Sequence, residues 1–365
     1  MNKIDKKECC GCYGCYSVCP KKCITMEVDE EGFKYPKVDE NNCINCGLCE
    51  AVCPFKYNDK KISLNEIKAY ACKNRDKSEQ TSSSSGGIFI ALCNYIMKNK
   101  GFVFGACFDE NLNVVHQSAK DINECYKFKG SKYVQSDIKN SYIDAKRYLD
   151  EGRLVLFSGV QCQIKGLNLF LNKIYDNLIC VEIICHGVPS PLVFDKYKEY
   201  LTKKYNSNIK NISFRYKEKS WINYNTLVEF ENCKKYSNIF AKDIYMKGFL
   251  QNIYLRPSCY ACKAKGFNTK SDISLADYWG IQKIHPEFYD NNGVSLVCVN
   301  TDKGNEIFKS ISENIDFIET DLNKAKLYNA CIYKSVNYNE KRNEFFKDLL
   351  SSNDDIESLI SKHTN

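Results

Sequence analysis

Two runs of cysteine near the start of the chain share one spacing: Cys9, Cys12, Cys15 and Cys19-Pro20, then Cys43, Cys46, Cys49 and Cys53-Pro54. Each reads Cys-x2-Cys-x2-Cys-x3-Cys-Pro. The two-residue gaps let three thiolates of a run reach three corners of an iron-sulfur cube, and the fourth cysteine is carried past that cube to the other one. The expected ligand sets are Cys9, Cys12, Cys15 and Cys53 for one [4Fe-4S] cluster, and Cys43, Cys46, Cys49 and Cys19 for a second. Paired zinc knuckles compete with this reading, but zinc sites usually pair two-cysteine arms across a longer gap and have no use for a swapped fourth thiolate. Cys10 and Cys23 fall outside the pattern and read as small apolar filler.

A second, less explicit set lies further on: Cys162 in SGVQCQ, Cys185 in ICHG, and Cys259 and Cys262 in CYAC. Four thiolates would complete a third cluster. Buried cysteines also serve as small hydrophobes, and a lone Cys-x2-Cys binds zinc or nothing at all. In favour of a cluster, Cys162 and Cys185 each follow an apolar strand, where the carboxyl edge of a sheet builds sites. The residues alone leave the two readings even. The remaining cysteines, Cys72, Cys93, Cys107, Cys125, Cys180, Cys233, Cys298 and Cys331, lack ligand spacing and read as packing residues.

The elements that must position these thiols follow from pattern. Ile24–Val28 and the turn 29–32 form a small hairpin between the cysteine runs, and each Cys-Pro stops its loop from continuing into helix. A polar, lysine-rich stretch from Phe55 to Leu64 separates this head from the rest. Beyond it, Ile88–Lys100 recurs at helical spacing, Gly101–Cys107 and Leu112–Ser118 alternate as strands, and Ile138–Leu149 is an amphipathic helix. Leu154–Phe157 and Leu178–Cys185 are buried strands, each followed by a helix, which implies a partly parallel sheet. Ile212–Tyr216 and Thr226–Phe230 read as antiparallel, and Val294–Val299 as a further apolar strand. The expected class is α+β: a ferredoxin-like two-cluster head over 1–60, a linker over 61–67, and a larger α/β body with a mixed sheet, its parts spanning 68–155 and 156–335. A charged helical tail, 336–365, receives no function.

The sequence has 365 residues, enough for two or three domains, and 22 cysteines. Disulfide scaffolds are short secreted chains, whereas this one opens MNKIDKKECC without an apolar leader, so a reducing cytoplasm is expected. No apolar run approaches the roughly 20 residues of a membrane helix. The net charge of +7 is modest and interspersed, which argues against nucleic acid and leaves docking of an acidic electron carrier open.

The phrases SSSSGGIF, FKGSKYVQSD, LFSGVQCQIKGL, ICHGVPSP and CYACKAKGFNTKSDISLADYWG together resemble the coenzyme F420 hydrogenase/dehydrogenase beta-subunit family over nearly all of 68–335. That resemblance implies an iron-sulfur flavoprotein holding FAD and exchanging electrons between clusters and a deazaflavin; a plant relative acts on a chlorophyll instead, so the fold is shared by several substrates. It further implies that Ser84, Ser85, Gly86 and Gly87 bring backbone N–H groups to the FAD phosphates. By the same resemblance Lys129 and Lys132, in the segment Lys129–Tyr133, would lie near the flavin ring, Lys132 as a catalytic cation that stabilises the anionic reduced flavin, and Gly159 and Gln161 in the adjoining turn would be further cofactor contacts. The family's commonest form has proline where this chain has Gln161. His186 reads either as a proton donor to substrate or as a structural histidine. In SDISLADYWG, Asp272, Asp277, Trp279 and Gly280 fit a strand and turn beneath the cofactor, with no direct catalytic part for Asp277.

The expected function is a two-to-one electron converter between [4Fe-4S] clusters, FAD and a hydride-accepting organic substrate, the deazaflavin coenzyme F420, with ferredoxin or another redox protein as partner. A ferredoxin-dependent reductase of another organic substrate and a non-catalytic electron-transfer subunit are the alternatives. The oligomeric state is not written in the sequence.

Overall fold

The computed structural model describes residues 4–56 and 66–364. The linker expected at 61–67 therefore lies, apart from its last two residues, outside the described residues. The strands are β1 (Ile24–Val28), β2 (Lys34–Val38), β3 (Lys68–Asn74), β4 (Phe102–Phe108), β5 (Val114–Ala119), β6 (Val155–Val160) and β7 (Leu178–Ile183). They continue with β8 (Ile209–Tyr216), β9 (Asn225–Phe230), β10 (Lys235–Ile239), β11 (Ile273–Asp277), β12 (Ser295–Val299) and β13 (Ile315–Thr320).

Eight of these form one mixed sheet in the order β13-β3-β12-β11-β7-β6-β4-β5. Its centre, β4-β6-β7-β11, is parallel, and the flanking pairs are antiparallel. The middle strands β6 and β7 are buried along nearly their whole length, as their unbroken apolar runs require of strands covered on both faces. The β4–β5 hairpin turns on Asp109, whose carboxylate accepts from the amides of Asn111 and Asn113 at 3.0 and 2.8 Å. Sequence reasoning missed β3, which lies between β12 and β13 and joins the two parts of the body in one sheet.

A second layer holds the antiparallel sheet β10-β9-β8 and the helix Pro191–Tyr205, started by proline and capped by the Ser190 hydroxyl. The 336–365 tail is not merely a charged appendage. Its helices Arg342–Ser351 and Ile356–His363 bury Phe345, Phe346, Ile356 and Leu359 in the same core as Phe194 and Tyr245. Their apolar faces at helical spacing were obscured by the charges between them.

In the head, the two cysteine runs repeat each other in backbone as well as in spacing. Gly11 and Asn45 both take positive φ (65° and 52°), as do Tyr13 and Gly47 (66° and 76°). Short helices follow at Gly14–Val18 and Leu48–Ala51. Arg256, fully buried, fastens the head to the body: its guanidinium donates to the Cys9 carbonyl at 2.7 Å, the Lys34 carbonyl at 2.9 Å and Gln135 Oε1 at 2.8 Å. Arg342 adds a two-pronged ion pair to Glu31, and Lys34 reaches Asp137 at 2.6 Å. Gly166 lies so close that an added Cβ would stand 2.9 Å from Cys12 Sγ.

Candidate functional site

The carboxyl edge of the parallel strands is where the chemistry-bearing residues collect. β6 ends in Ser158-Gly159-Val160 and leads to Cys162, β7 leads to Cys185-His186, and β11 ends at Asp277 opposite Ser295 of β12. Ser295 in turn pairs with Cys72 of β3, which delivers the chain to the serine-glycine loop at the same edge. Parallel strands thus present their turns to one side of the sheet, the usual place for a cleft.

A cavity of about 300 Å³ opens there, in the size range of small-molecule sites. Ser84, Ser85, Gly87, Lys129, Lys132, Gly159 and His186 all line it. Gly86 does not. Its amide donates to Ser295 Oγ at 2.9 Å, and a Cβ there would meet the Cys72 carbonyl at 2.3 Å, so its smallness permits a backbone crossing. Gln161 also lies off this cavity and faces the cysteines instead.

The serine-glycine stretch, flexible by composition, is pinned in place. Thr81 and Ser82 belong to a short helix, Lys77–Ser82, and the helix Ile88–Lys98 starts after Gly87 at φ 81°. The Ser84 carbonyl accepts from Arg215 at 3.2 Å, Ser85 from Lys217 at 2.8 Å, Gly86 from the Asn74 amide at 2.7 Å and Gly87 from Asn74 Nδ2 at 3.0 Å. With its carbonyls held outward, the loop turns other polar atoms to the cavity; Ser84 Oγ accepts the Ser131 amide at 2.7 Å.

Charge around the cavity is organised by residues that sequence reasoning passed over. Arg215, buried, pairs with Asp277 at 2.7 Å and donates to Tyr133 Oη at 3.2 Å; Trp221 Nε1 donates to the same carboxylate at 3.1 Å and its ring stacks on Trp279. Asp277 is thereby a structural counter-ion. Lys217 spends its ammonium on the Gln80, Ser85 and Asn292 carbonyls, and burial pushes its pKa down to about 7. Lys132 likewise reaches only carbonyls, of Lys127, Lys129 and Gly130, and burial lowers it to about 7. Lys129 is paired with Glu79 at 2.5 Å. These partners lie far away in the sequence or on the backbone, where no motif announces them.

His116 is buried beneath Gly159. The Ser158 carbonyl can only accept, so Nε2 carries the proton at 3.0 Å, and Nδ1 accepts from Ser136 Oγ at 3.0 Å. Gln163 continues the chain, donating to Ser136 Oγ and accepting from the Val160 amide. His186 is tied at both nitrogens as well, Nε2 to Asn252 Oδ1 at 2.6 Å and Nδ1 facing Cys331 Sγ at 3.7 Å. Burial lowers its pKa, so the ring is neutral.

The cysteines line three further cavities. Cys162, Cys185, Cys259 and Cys262 share the wall of one, with Gln161, Arg256 and Lys265. Cys9, Cys12, Cys15 and Cys53 line a second, and Cys19, Cys43, Cys46 and Cys49 a third. Cys10, read from sequence as filler, stands on the wall between the first two, within hydrogen-bonding reach of Cys12 and Cys162. Cys23 lies 3.4 Å from Cys19 on the third. Among the described residues no group of three or more His, Cys, Asp or Glu has the geometry of a single metal-ion site. The thiols border spaces instead of converging on a point, which suits a multi-iron cluster. The chemistry of the wall fits an anionic group too: the Cys162 cavity carries two cations and no carboxylate. Burial pushes the Cys185 thiol up to about 12 and Cys259 to about 11, so both are protonated at neutral pH until a metal takes the proton's place.

Among the described residues no helix is long and apolar enough to cross a membrane. No curated protein matches the chain. Several solved structures do; one is a chain of the F420-reducing [NiFe] hydrogenase complex from Methanosarcina barkeri, 18% identical, covering 74% of this chain and 89% of that one at a TM-score of 0.49. Residues 8–57 match the model of a 4Fe-4S dicluster domain, and residues 152–325 match that of the C terminus of the coenzyme F420 hydrogenase/dehydrogenase beta subunit. The chain is therefore similar, over residues 152–325, to the C terminus of the coenzyme F420 hydrogenase/dehydrogenase beta-subunit family, an oxidoreductase family, and over residues 8–57 to a 4Fe-4S dicluster domain.

Proposed function

We propose that the protein passes electrons between the two clusters of its head, a third [4Fe-4S] cluster held by Cys162, Cys185, Cys259 and Cys262, FAD in the cavity at the sheet's carboxyl edge, and a hydride-accepting organic substrate, coenzyme F420. The observation that carries this reading is a sequence of shared walls. The sheet-edge cavity and the Cys162 cavity have Val160, Cys185, His186, Gly187 and Val188 in common. The Cys162 cavity and the Cys9 cavity have Cys10 and Phe55 in common. Sites that share side chains are within easy reach for electron transfer.

The sheet-edge cavity fits a flavin in composition: Ile88, Phe89, Phe128 and Leu275 offer apolar contact, and serine hydroxyls and two lysines lie around it. FAD, when bound, supplies exchange between a two-electron hydride carrier and one-electron clusters. Lys129 lies on the wall with its charge balanced by Glu79, and Lys132, its pKa pushed down to about 7 by burial, holds or gives up a proton at Nζ. His186, fixed by Asn252, is a wall between the cavities and keeps its ring from turning. Arg215 and Lys217 hold the serine-glycine loop in shape. In the Cys162 cavity, Lys265 grips the Cys185 and Cys331 carbonyls, which orients the Cys185 loop.

The test is anaerobic. Protein purified with its flavin and clusters is given reduced viologen, and the absorbance of coenzyme F420 is followed. Bleaching that is lost in Cys162→Ala supports the reading. A flavin-loaded protein that leaves F420 unbleached overturns that substrate in favour of a ferredoxin-fed reductase, and a pure protein without flavin indicates an electron-transfer subunit.

A further inference from the structure

We infer that the side-chain amide of Gln161 donates a hydrogen bond to a sulfur of the group bound by Cys162, Cys185, Cys259 and Cys262, and so sets the potential of that group. The inference rests on the third cluster proposed above. Gln161 is only 1% exposed, and neither Nε2 nor Oε1 has a hydrogen-bond partner. An amide buried without partners costs folding free energy. Its side chain is on the wall of the Cys162 cavity, and it is the first residue of the helix Gln161–Leu171, with the thiol of Cys162 next in sequence. Donor and ligand thus come from one rigid turn.

The other strong donors of that wall are already engaged. Arg256 is committed to the head through Cys9, Lys34 and Gln135, and Lys265 to the Cys185 and Cys331 carbonyls. The Gln161 amide, free at both atoms, can turn its NH2 toward the cavity. Hydrogen bonds to cluster sulfurs favour the more negative, reduced state, and raise the potential. Gln161 is in this sense a positioning residue for electrons and touches no substrate.

The experiment is a redox titration of the full chain followed by electron paramagnetic resonance, on the parent protein and on Gln161→Leu and Gln161→Met. Cys262→Ala identifies the third signal by removing it, and the two head clusters serve as internal standards. The expected result is that both Gln161 variants move the third cluster's one-electron equilibrium about tenfold toward the oxidised form, which is about 59 mV, with the head clusters unmoved. Coupling to exchangeable deuterons at that cluster, present in the parent after transfer to heavy water, should weaken in both variants, while the part from the Val188 amide, which donates to Cys259 Sγ at 3.4 Å, remains. A third cluster that is present at full iron content and titrates with the parent in either variant overturns the inference while leaving the third cluster intact. If Cys262→Ala removes no signal and the head clusters titrate normally, the third cluster and the inference fail together.

Discussion

The two halves of the head carry the same cysteine spacing and the same left-handed backbone positions, yet they live in different surroundings. Cys9, Cys12, Cys15 and Cys53 are 7–8% exposed, pressed against the body by Arg256 and Gly166. Cys46 is exposed, and Cys19, Cys43 and Cys49 are half-buried. Ile44 and Leu48 beside them face solvent at 57% and 42%. One motif has been placed twice, once as an internal junction and once as an outward terminal. The potential of an iron-sulfur cluster depends on solvent exposure and hydrogen bonds as well as on ligands, so the two halves cannot be electronically equal. The buried half also depends on the body for its shape, which the exposed half does not.

That dependence can be broken. The largest effect is expected from Arg256→Met, which strips three acceptors of their donor and should cost about 3 kcal/mol or more. Iron analysis and electron paramagnetic resonance should show the buried cluster depleted and the exposed one kept; equal loss from both would mean that the halves fold as one. Acid should act in the same direction. Burial pushes the His116 pKa down to about 4, against about 6.5 unfolded. Between those values the unfolded chain binds the extra proton, so stability falls as pH drops from about 6.5 to about 4, by up to about 3 kcal/mol. Denaturant midpoints measured across that window should fall, and His116→Gln should flatten the slope.

Gly166→Val is a local version of the same wedge. Its methyl groups would press on Cys12 and on Tyr142 Oη, at a cost of about 1–3 kcal/mol, and lower the iron bound by the buried half alone. The smallest effect is expected from Glu31→Gln, which weakens the ion pair between the β1–β2 turn and Arg342 of the tail by about 1 kcal/mol. Limited proteolysis should then release the head sooner, with the clusters' spectra unchanged.

How much of this was legible in the sequence differs by element. The strands β6 and β7 were readable because a doubly covered strand is apolar at nearly every position. The helix expected after Leu178–Cys185 is found at Pro191–Tyr205, where serine and proline mark its start and Asn206 its end. By contrast, Lys68–Asn74 carries a mixed pattern, and only pairing with β12 and β13 makes it a strand. The cavity residues Ser84, Lys129, Lys132 and His186 were found through resemblance, whereas Arg215, Lys217 and Arg256 were not, since nothing near them in sequence names their partners. Arg256 binds the carbonyl of a residue 247 positions earlier.

The sequence by itself determined which three thiols of each head run sit together, because the reach of a thiolate from a two-residue gap is a local matter of covalent geometry. It likewise determined the repeat within the head and the apolar strands that lead to Cys162 and Cys185. Tertiary structure alone decided which half of the head is buried, that Cys10 stands between two cysteine cavities, and that the amide of Gln161 is enclosed without a partner. Those are consequences of packing between segments far apart in the chain, where burial and shared walls arise from the summed shape of many side chains and leave no spacing to read.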